Sequence, residues 1–348
     1  MTSVVDHPCK AMLKKPRLGF LGVGWIGRHR MKALIDSGII EAVAVADPSR
    51  DCLEEALKLA PSAKPVPSLS RLVNEGLDGI VIATPSAQHA EQALEALGHG
   101  VAVFCQKPLG RNWEEASAVV EAAKAANRLL GLDLSYRHTQ AMRQIRPIVA
   151  EGGIGRVHTV DLVFHNAYGP DKPWFYDPEL SGGGCVIDLG VHLVDLALWT
   201  LGFPKVVDVT SHLFANGERL PANPAVVEDV AAATLTLETG TVIRLACSWR
   251  LNAGQDAEIA AAFYGTEGGA ALRNVNGSFY DFVAERYRGT SREQLAVPPD
   301  DWGGRAAVDW AVRLAADGRY DPQSQEFVQV AEVLDRIYGR HEMRAAAE

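Results

Sequence analysis

Residues 19–31 read GFLGVGWIGRHRM, with Gly22, Gly24 and Gly27 in G-x-G-x-x-G register and Trp25 and Ile26 between the last two. A short apolar run leads into them and a helix-period pattern leads out. The first two glycines permit a tight turn and close approach of backbone to a pyrophosphate, and the third permits close helix-on-strand packing. The helix N-terminus offers N–H groups and positive potential to phosphate. An isolated triplet reads equally as a Gly-rich turn, so its neighbours decide. A second apolar run, in AVAVADPSR, ends at Asp47, 20 residues after Gly27, where a carboxylate can accept hydrogen bonds from an adenosine ribose. Asp47 also suits a helix cap or turn before Pro48. As a ribose ligand it favours NAD, because a carboxylate repels a 2′-phosphate; Arg50 could pair with that phosphate and leaves NADP open.

Working outward, short apolar runs at 18–22, 42–46, 79–83, 101–104 and 129–132 alternate with helix-period stretches at 26–36, 53–59, 87–97 and 114–126. That alternation predicts stacked β-α units on a parallel sheet. A crossover helix at 140–150 and the turn EGGIG follow. Beyond them, VVEDVAAATLTLETGTVIRLACSWR (226–250) reads as two alternating antiparallel strands around Thr239-Gly240, with further short strands to about 282 and a closing helix near 323–338. The expected fold class is an α/β Rossmann doubly wound parallel sheet plus a C-terminal α+β domain with an open, mainly antiparallel sheet. The expected limits are an extension at 1–15, a dinucleotide-binding domain at 16–135, a substrate-binding and oligomerisation domain at 136–320, and a closing helix and tail at 321–348.

The composition fits a globular chain: of 348 residues, 47% are hydrophobic and 22% charged. A net charge of −9 argues against nucleic acid or an anionic membrane as partner, since either is met by a basic patch. The five cysteines are odd in number and widely spaced, which favours a reducing compartment over a disulfide framework or zinc site. Neither a secretory leader nor an apolar run of membrane-spanning length is evident, and a cytoplasmic location is expected.

Three further stretches carry chemistry. ATPSAQH places Thr84, Pro85 and His89 at the carboxyl end of the sheet, where ligands of open α/β sheets bind, although His89 also suits plain helix packing. VAVFCQKPL brings Gln106 and Lys107 to the same edge, where an ammonium can stabilise charge growing on a substrate oxygen. SGGGCVIDLGVHLVD (181–195) inserts Asp188, His192 and Asp195 into an apolar helix; Asp188 and His192, at i and i+4, share one face. Asp195 reads better as a satisfied helix carboxylate. A metal set of Asp188, His192 and Asp195 is a rival reading, and no metal is expected.

Together these motifs, in this order from about residue 17 to 338, resemble the Gfo/Idh/MocA family of sugar and polyol oxidoreductases. The resemblance implies a nicotinamide-binding domain, reactive residues at Lys107, Asp188 and His192, and a homodimer or homotetramer built through the C-terminal sheet. His192 would exchange the hydroxyl proton, Asp188 would orient the site and Lys107 would hold the oxygen. Gln106 departs from the family pattern, which has glutamate there; loss of that charge should favour deprotonation of Lys107. The resemblance also allows a cis bond at Lys107-Pro108. FHNAYG, with His165 and Asn166, resembles a pocket-lining segment of polyol-using relatives. Tyr136, Arg137, Trp174 and Tyr176 could bind hydroxyls or stack on a sugar ring. The expected activity is NAD(P)-dependent hydride transfer with a carbinol or carbonyl of a sugar, inositol or related polyol. The alternative is a dinucleotide-binding sensor of the same fold without turnover.

Overall fold

The computed structural model describes residues 15–340; all but Lys15 of the expected extension at 1–15, and residues 341–348 of the expected tail, lie outside the described residues. A six-stranded sheet holds β1 (Arg17–Leu21), β2 (Glu41–Ala46), β3 (Lys64–Pro65), β4 (Gly79–Ile82), β5 (Ala102–Cys105) and β6 (Leu130–Leu132). Its order is β3-β2-β1-β4-β5-β6, and every pair is parallel. β4 and β5 are buried at every position, which is why they read as uninterrupted apolar runs. The connecting helices are α1 (Trp25–Asp36), α2 (Arg50–Leu59), α3 (Leu69–Leu72), α4 (Ser86–Gly98) and α5 (Trp113–Ala126). Ser49 and Asn112 cap α2 and α5 by accepting from Cys52 and Glu115 N–H groups, so both helices start where a cap residue stands. The chain order reverses between β1 and β4, and the carboxyl ends of those strands open a crevice there.

A nine-stranded sheet follows: β7 (Val157–Asn166), β8 (Val206–Ala215), β9 (Glu218–Arg219), β10 (Val230–Leu237), β11 (Val242–Ser248), β12 (Ala257–Gly265), β13 (Gly269–Asn274), β14 (Phe282–Arg288) and β15 (Ser291–Ala296). Its order is β15-β14-β13-β12-β7-β11-β10-β8-β9, antiparallel except where β7 and β11 run together. Alternating burial along β10 leaves one face packed and one open. The packed face carries α6 (Gln140–Ala150), α8 (Val191–Leu201) and, after α9 (Arg305–Ala316), α10 (Gln325–Ile337), while the short α7 (Pro178–Ser181) ahead of α8 packs on α4.

Three expectations change. The strands continue past 282 to Ala296. The interval 136–320 is not one unit, because α9 returns to the first sheet, where Trp310 packs at 5.6 Å on Phe104 and shares a core with Leu18, Phe20 and Met31. The helical run Pro178–Leu201 is, by length and composition, apolar enough to cross a membrane, contrary to the reading above; 83% of its apolar window is buried inside the fold, so packing explains the apolarity.

Candidate active site

Between the two sheets lies a cavity of about 380 Å³, the size of a small-ligand site. Its wall takes Trp25, Ile26 and Arg30 from α1, Thr84 after β4, Gln106 and Lys107 after β5, Asp133 and Ser135 after β6, Trp174 and Phe175 from the loop before α7, and Asp188 and His192. The carboxyl ends of the parallel strands therefore face the buried helix of the second half.

The glycine loop has the shape its spacing implies. Gly22 sits at φ +78°, and a Cβ there would stand 2.6 Å from the Ala83 carbonyl oxygen; a Cβ on Gly27 would stand 2.1 Å from the Gly22 carbonyl oxygen. Gly24 has nothing within 4 Å of where a Cβ would be, which leaves its backbone open to a ligand at the start of α1. Asp47 accepts from the Val23 N–H at 2.7 Å and the Ser49 N–H at 2.8 Å, tying the loop to the end of β2 and starting the turn into α2. The donors, the open cradle and the carboxylate fit a dinucleotide: the α1 N–H groups would face its phosphates and Asp47 its ribose.

The helix that carries Asp188 and His192 is entered through three glycines for steric reasons. Gly182 sits at φ +85°, and a Cβ on Gly183 would lie 2.0 Å from the Tyr338 hydroxyl. Behind them, Glu228, wholly buried, accepts from Gly184 N–H at 3.0 Å, Val186 N–H at 2.8 Å and the Tyr338 hydroxyl at 2.9 Å. Burial pushes the Glu228 carboxyl up, against the pull of those donors. The next turn, Val186–Gly190, is a π turn, and Asp188 lies in it.

Lys107 Nζ donates to Asp188 Oδ1 and to the Asp188 main-chain oxygen, each at 2.7 Å, and Trp249 Nε1 donates to Asp188 Oδ2 at 3.1 Å. An ammonium has three N–H groups, so one is left for a ligand. His192 stands one turn on, its ring 4.8 Å from the Tyr136 ring. Burial, then the charges of Lys107 and Arg30, hold its pKa well below the usual 6.5, so the imidazole is neutral. Among the described residues its Nδ1 is sealed off without a hydrogen-bond partner, and the residue borders the cavity.

Lys107, Asp188, His192, Gln106, Trp25, Ile26, Thr84 and Trp174 thus share one cavity. Other expected ligand residues do different work. Arg137 is not a substrate residue: it is forked onto Asp195, paired with Glu326 at 2.7 Å and packed on Trp199. Asp195 is the satisfied carboxylate of that pair, which takes it away from Asp188 and His192. His165 bonds Ser248 Oγ at 2.7 Å on the second sheet, and Asn166 ends the same strand; neither borders the cavity. Tyr136 stands behind His192 and lines an adjoining recess. His89 borders the cavity but has both ring nitrogens 2.7 Å from carbonyl oxygens, those of Thr84 and Pro108; the neutral ring donates to one of them, and neither nitrogen is open to a cofactor. Pro85 stands just ahead of α4 at its N-cap position without a side-chain hydrogen bond, and Arg50 is exposed and pairs with Glu54 at 2.9 Å. The Lys107-Pro108 bond is cis. The charge missing at Gln106 does not leave Lys107 bare, because Asp188 supplies a carboxylate to it directly.

Four contributors escape the sequence reading. Glu228, just before β10, and Trp249, just after β11, come from parts distant in the chain, and only an unpaired acid in an apolar pattern hints at the first. Arg30 and Asp133 form a buried ion pair at 2.6 Å on the cavity wall. A charged residue in the second turn after the glycine loop, and another at the end of the last parallel strand, were the available signals.

Known proteins match this architecture. Residues 16–134 match the model of the oxidoreductase family with an NAD-binding Rossmann fold, and 142–271 match the GFO/IDH/MocA C-terminal domain. A putative UDP-kanosamine synthase oxidoreductase subunit of Amycolatopsis mediterranei is 29% identical over 92% of this chain and 95% of its own. An inositol 2-dehydrogenase of Acidiphilium cryptum is 28% identical over 90% and 85%. The solved structure of levoglucosan dehydrogenase in complex with NADH superposes with a TM-score of 0.81 at 20% identity, covering 95% of this chain and 98% of that one, a likeness of fold. Both halves match domains of one family in the same order, and on that basis the chain is a member of the Gfo/Idh/MocA oxidoreductases.

Proposed function

We propose that this oxidoreductase interconverts a carbinol and a carbonyl on a sugar, inositol or related polyol, with Lys107, Asp188 and His192 as its reactive set. The observation that carries the reading is the meeting of Lys107, from the first sheet, with Asp188 and His192, from the helix of the second half, on one cavity beside the glycine loop. Bound along that loop, NAD or NADP supplies the hydride acceptor or donor. The third N–H of Lys107 holds the substrate oxygen and stabilises negative charge on it as the proton leaves. Neutral His192 takes the hydroxyl proton in oxidation and returns it in reduction. Asp188 fixes the ammonium through two contacts, and Trp249 fixes Asp188. Trp174, stacked on Phe175 at 3.8 Å, gives the wall an aromatic face for a sugar ring.

The relatives named as sugar and polyol dehydrogenases support turnover over the sensor alternative, and so does the intact reactive set. Asp47 at the end of β2 favours NAD. Self-association through the open face of the nine-stranded sheet, and a cytoplasmic setting, belong to the same reading. The test is a panel of sugars, inositols and polyols with NAD and NADP, followed by reduced-cofactor absorbance. Turnover that disappears in Lys107→Ala and His192→Ala, with nucleotide binding kept, supports it; nucleotide binding without turnover on any substrate favours the sensor.

A further inference from the structure

The cavity wall beside Lys107 carries an amide with one end held. Gln106, buried at the end of the second-last parallel strand, gives its Nε2 to Asp133 Oδ2. The same oxygen takes Arg30 Nε at 2.6 Å, and Arg30 Nη1 meets His29 Nδ1 at 2.9 Å. Asp133 is 1% exposed and Arg30 6%. Paired with a guanidinium, Asp133 is a carboxylate, and a carboxylate only accepts hydrogen bonds. The two ends of a glutamine amide are told apart by their partners, so the NH2 of Gln106 must face Asp133 and its Oε1 must face away. Among the described residues that Oε1 makes no hydrogen bond, and it is not one of the sealed-off polar atoms lacking a partner. Gln106 borders the cavity, so its Oε1 opens onto it.

We propose that Asp133, pinned by Arg30, is a positioning residue that fixes Gln106 as a hydrogen-bond acceptor for a ligand hydroxyl in the cavity. The inference rests on the function proposed above, in which the hydroxyl belongs either to the ribose next to the nicotinamide or to the sugar. Both sources offer the same donor. A buried ion pair adds little stability over well-packed apolar groups, and among the described residues Asp133 Oδ1 has no hydrogen-bond partner, so fold stability alone is a poor reason to keep the network. The pair also dictates what can stand at 106. A glutamate there would put two carboxylates in hydrogen-bond contact, and one would have to hold a proton. The glutamine at 106 and the acid at 133 therefore belong together.

The experiment uses the full chain with Asp133→Ala, Gln106→Glu and the double variant. NADH and NADPH dissociation constants come from fluorescence titration, and KM from whichever sugar or polyol is turned over, each across pH. Alanine at 133 removes the acceptor that orients the Gln106 amide, so the amide is released, and affinity for the hydroxyl-bearing ligand should fall about tenfold, the size of one hydrogen bond. Gln106→Glu should weaken binding progressively as pH rises and the acid introduced at 106 loses its proton beside the Asp133 carboxylate. The double variant should recover, because the carboxylate introduced at 106 accepts on both oxygens and needs no partner at 133 to orient it. Loss in the NADH constant assigns the hydroxyl to the ribose; loss in sugar KM with an unchanged NADH constant assigns it to the substrate. A double variant that binds no better than Asp133→Ala, or a flat pH profile for Gln106→Glu, overturns the positioning role. A wild-type chain that binds neither NADH nor NADPH overturns instead the function on which the proposal rests.

Discussion

Lys107 Nζ bonds both the side chain and the main-chain oxygen of Asp188, each at 2.7 Å, across 81 positions of sequence. The contact joins the end of a parallel strand to a π turn in the opposite half, so the cavity exists only when the two halves are docked. It also sets the electrostatics of the next residue along, because the same ammonium acts on His192.

The pH profile should carry that coupling. His192 must be neutral to accept a proton, and its pKa is held well below 6.5 by burial first and by Lys107 and Arg30 next. In the oxidative direction kcat/KM should therefore stay level as pH falls through 6.5 and decline only at lower pH. Lys107→Met removes one of the two cations, so the acid limb should move to higher pH while the rate drops by about 10²–10³-fold, the usual cost of losing a charge-stabilising donor. An acid limb that stays in place would show that His192 is not the titrating group.

Stability should fall on mild acidification. Burial is the leading cause of a lowered pKa at His29, His89, His138, His165 and His192. Below 6.5 the unfolded chain takes up protons that the folded chain refuses, so this contribution is fully present above 6.5 and is lost as pH falls toward the lowered values. Asp195 and Glu228, whose pKa values burial raises, act in the opposite sense, their ionised forms costing stability as pH rises. With five imidazoles against two carboxyls, the melting temperature at about pH 5.5 should lie below that at about pH 7.5. A thermal scan across that range decides it.

How much of this is legible depends on distance along the chain. The parallel sheet shows itself because its buried strands are short apolar runs punctuated by glycines, and Lys107, Asp188 and His192 each sit in a local motif. Arg137 misleads because nothing local distinguishes a guanidinium that binds sugar from one forked onto Asp195, 58 residues away. Arg30 and Asp133 meet over 103 residues, and Glu228 reaches back 44 to Gly184. Such pairings follow from the docking of elements and leave no periodic trace. The helix α9 escapes for a related reason: its apolar face answers to a sheet built from the opposite end of the chain, so its place in the fold cannot be read from its own period.

Cofactor choice should respond to Asp47. Its two oxygens accept the Val23 and Ser49 N–H groups, yet each carboxylate oxygen retains a free lone pair for a ribose hydroxyl. Asp47→Asn keeps an oxygen for Val23 and removes the charge. The ratio of kcat/KM with NAD to that with NADP should fall by about tenfold, since one repulsive interaction with a 2′-phosphate is gone while one good hydrogen bond to a ribose is weakened. An unchanged ratio would place the ribose away from the end of β2.

Glu228 offers the sharpest separation between holding the site and forming it. Its carboxylate takes Gly184 N–H on one oxygen and Val186 N–H with the Tyr338 hydroxyl on the other, and so ties down the turn from which Asp188 projects. Glu228→Gln removes a buried charge, which by itself relieves desolvation, but it also turns an NH2 toward the Gly184 N–H or toward the Val186 N–H, so one buried donor loses its acceptor and faces another donor. Charge-assisted hydrogen bonds are the stronger kind, and an unmet buried N–H costs about 1–3 kcal/mol, so the second effect should win and denaturant unfolding should show a loss of that size. Because the displaced turn carries Asp188 and not the glycine loop, kcat should fall while the NADH dissociation constant holds. Equal losses in both would mean that Glu228 supports the whole interface between the halves and has no particular hold on the reactive helix.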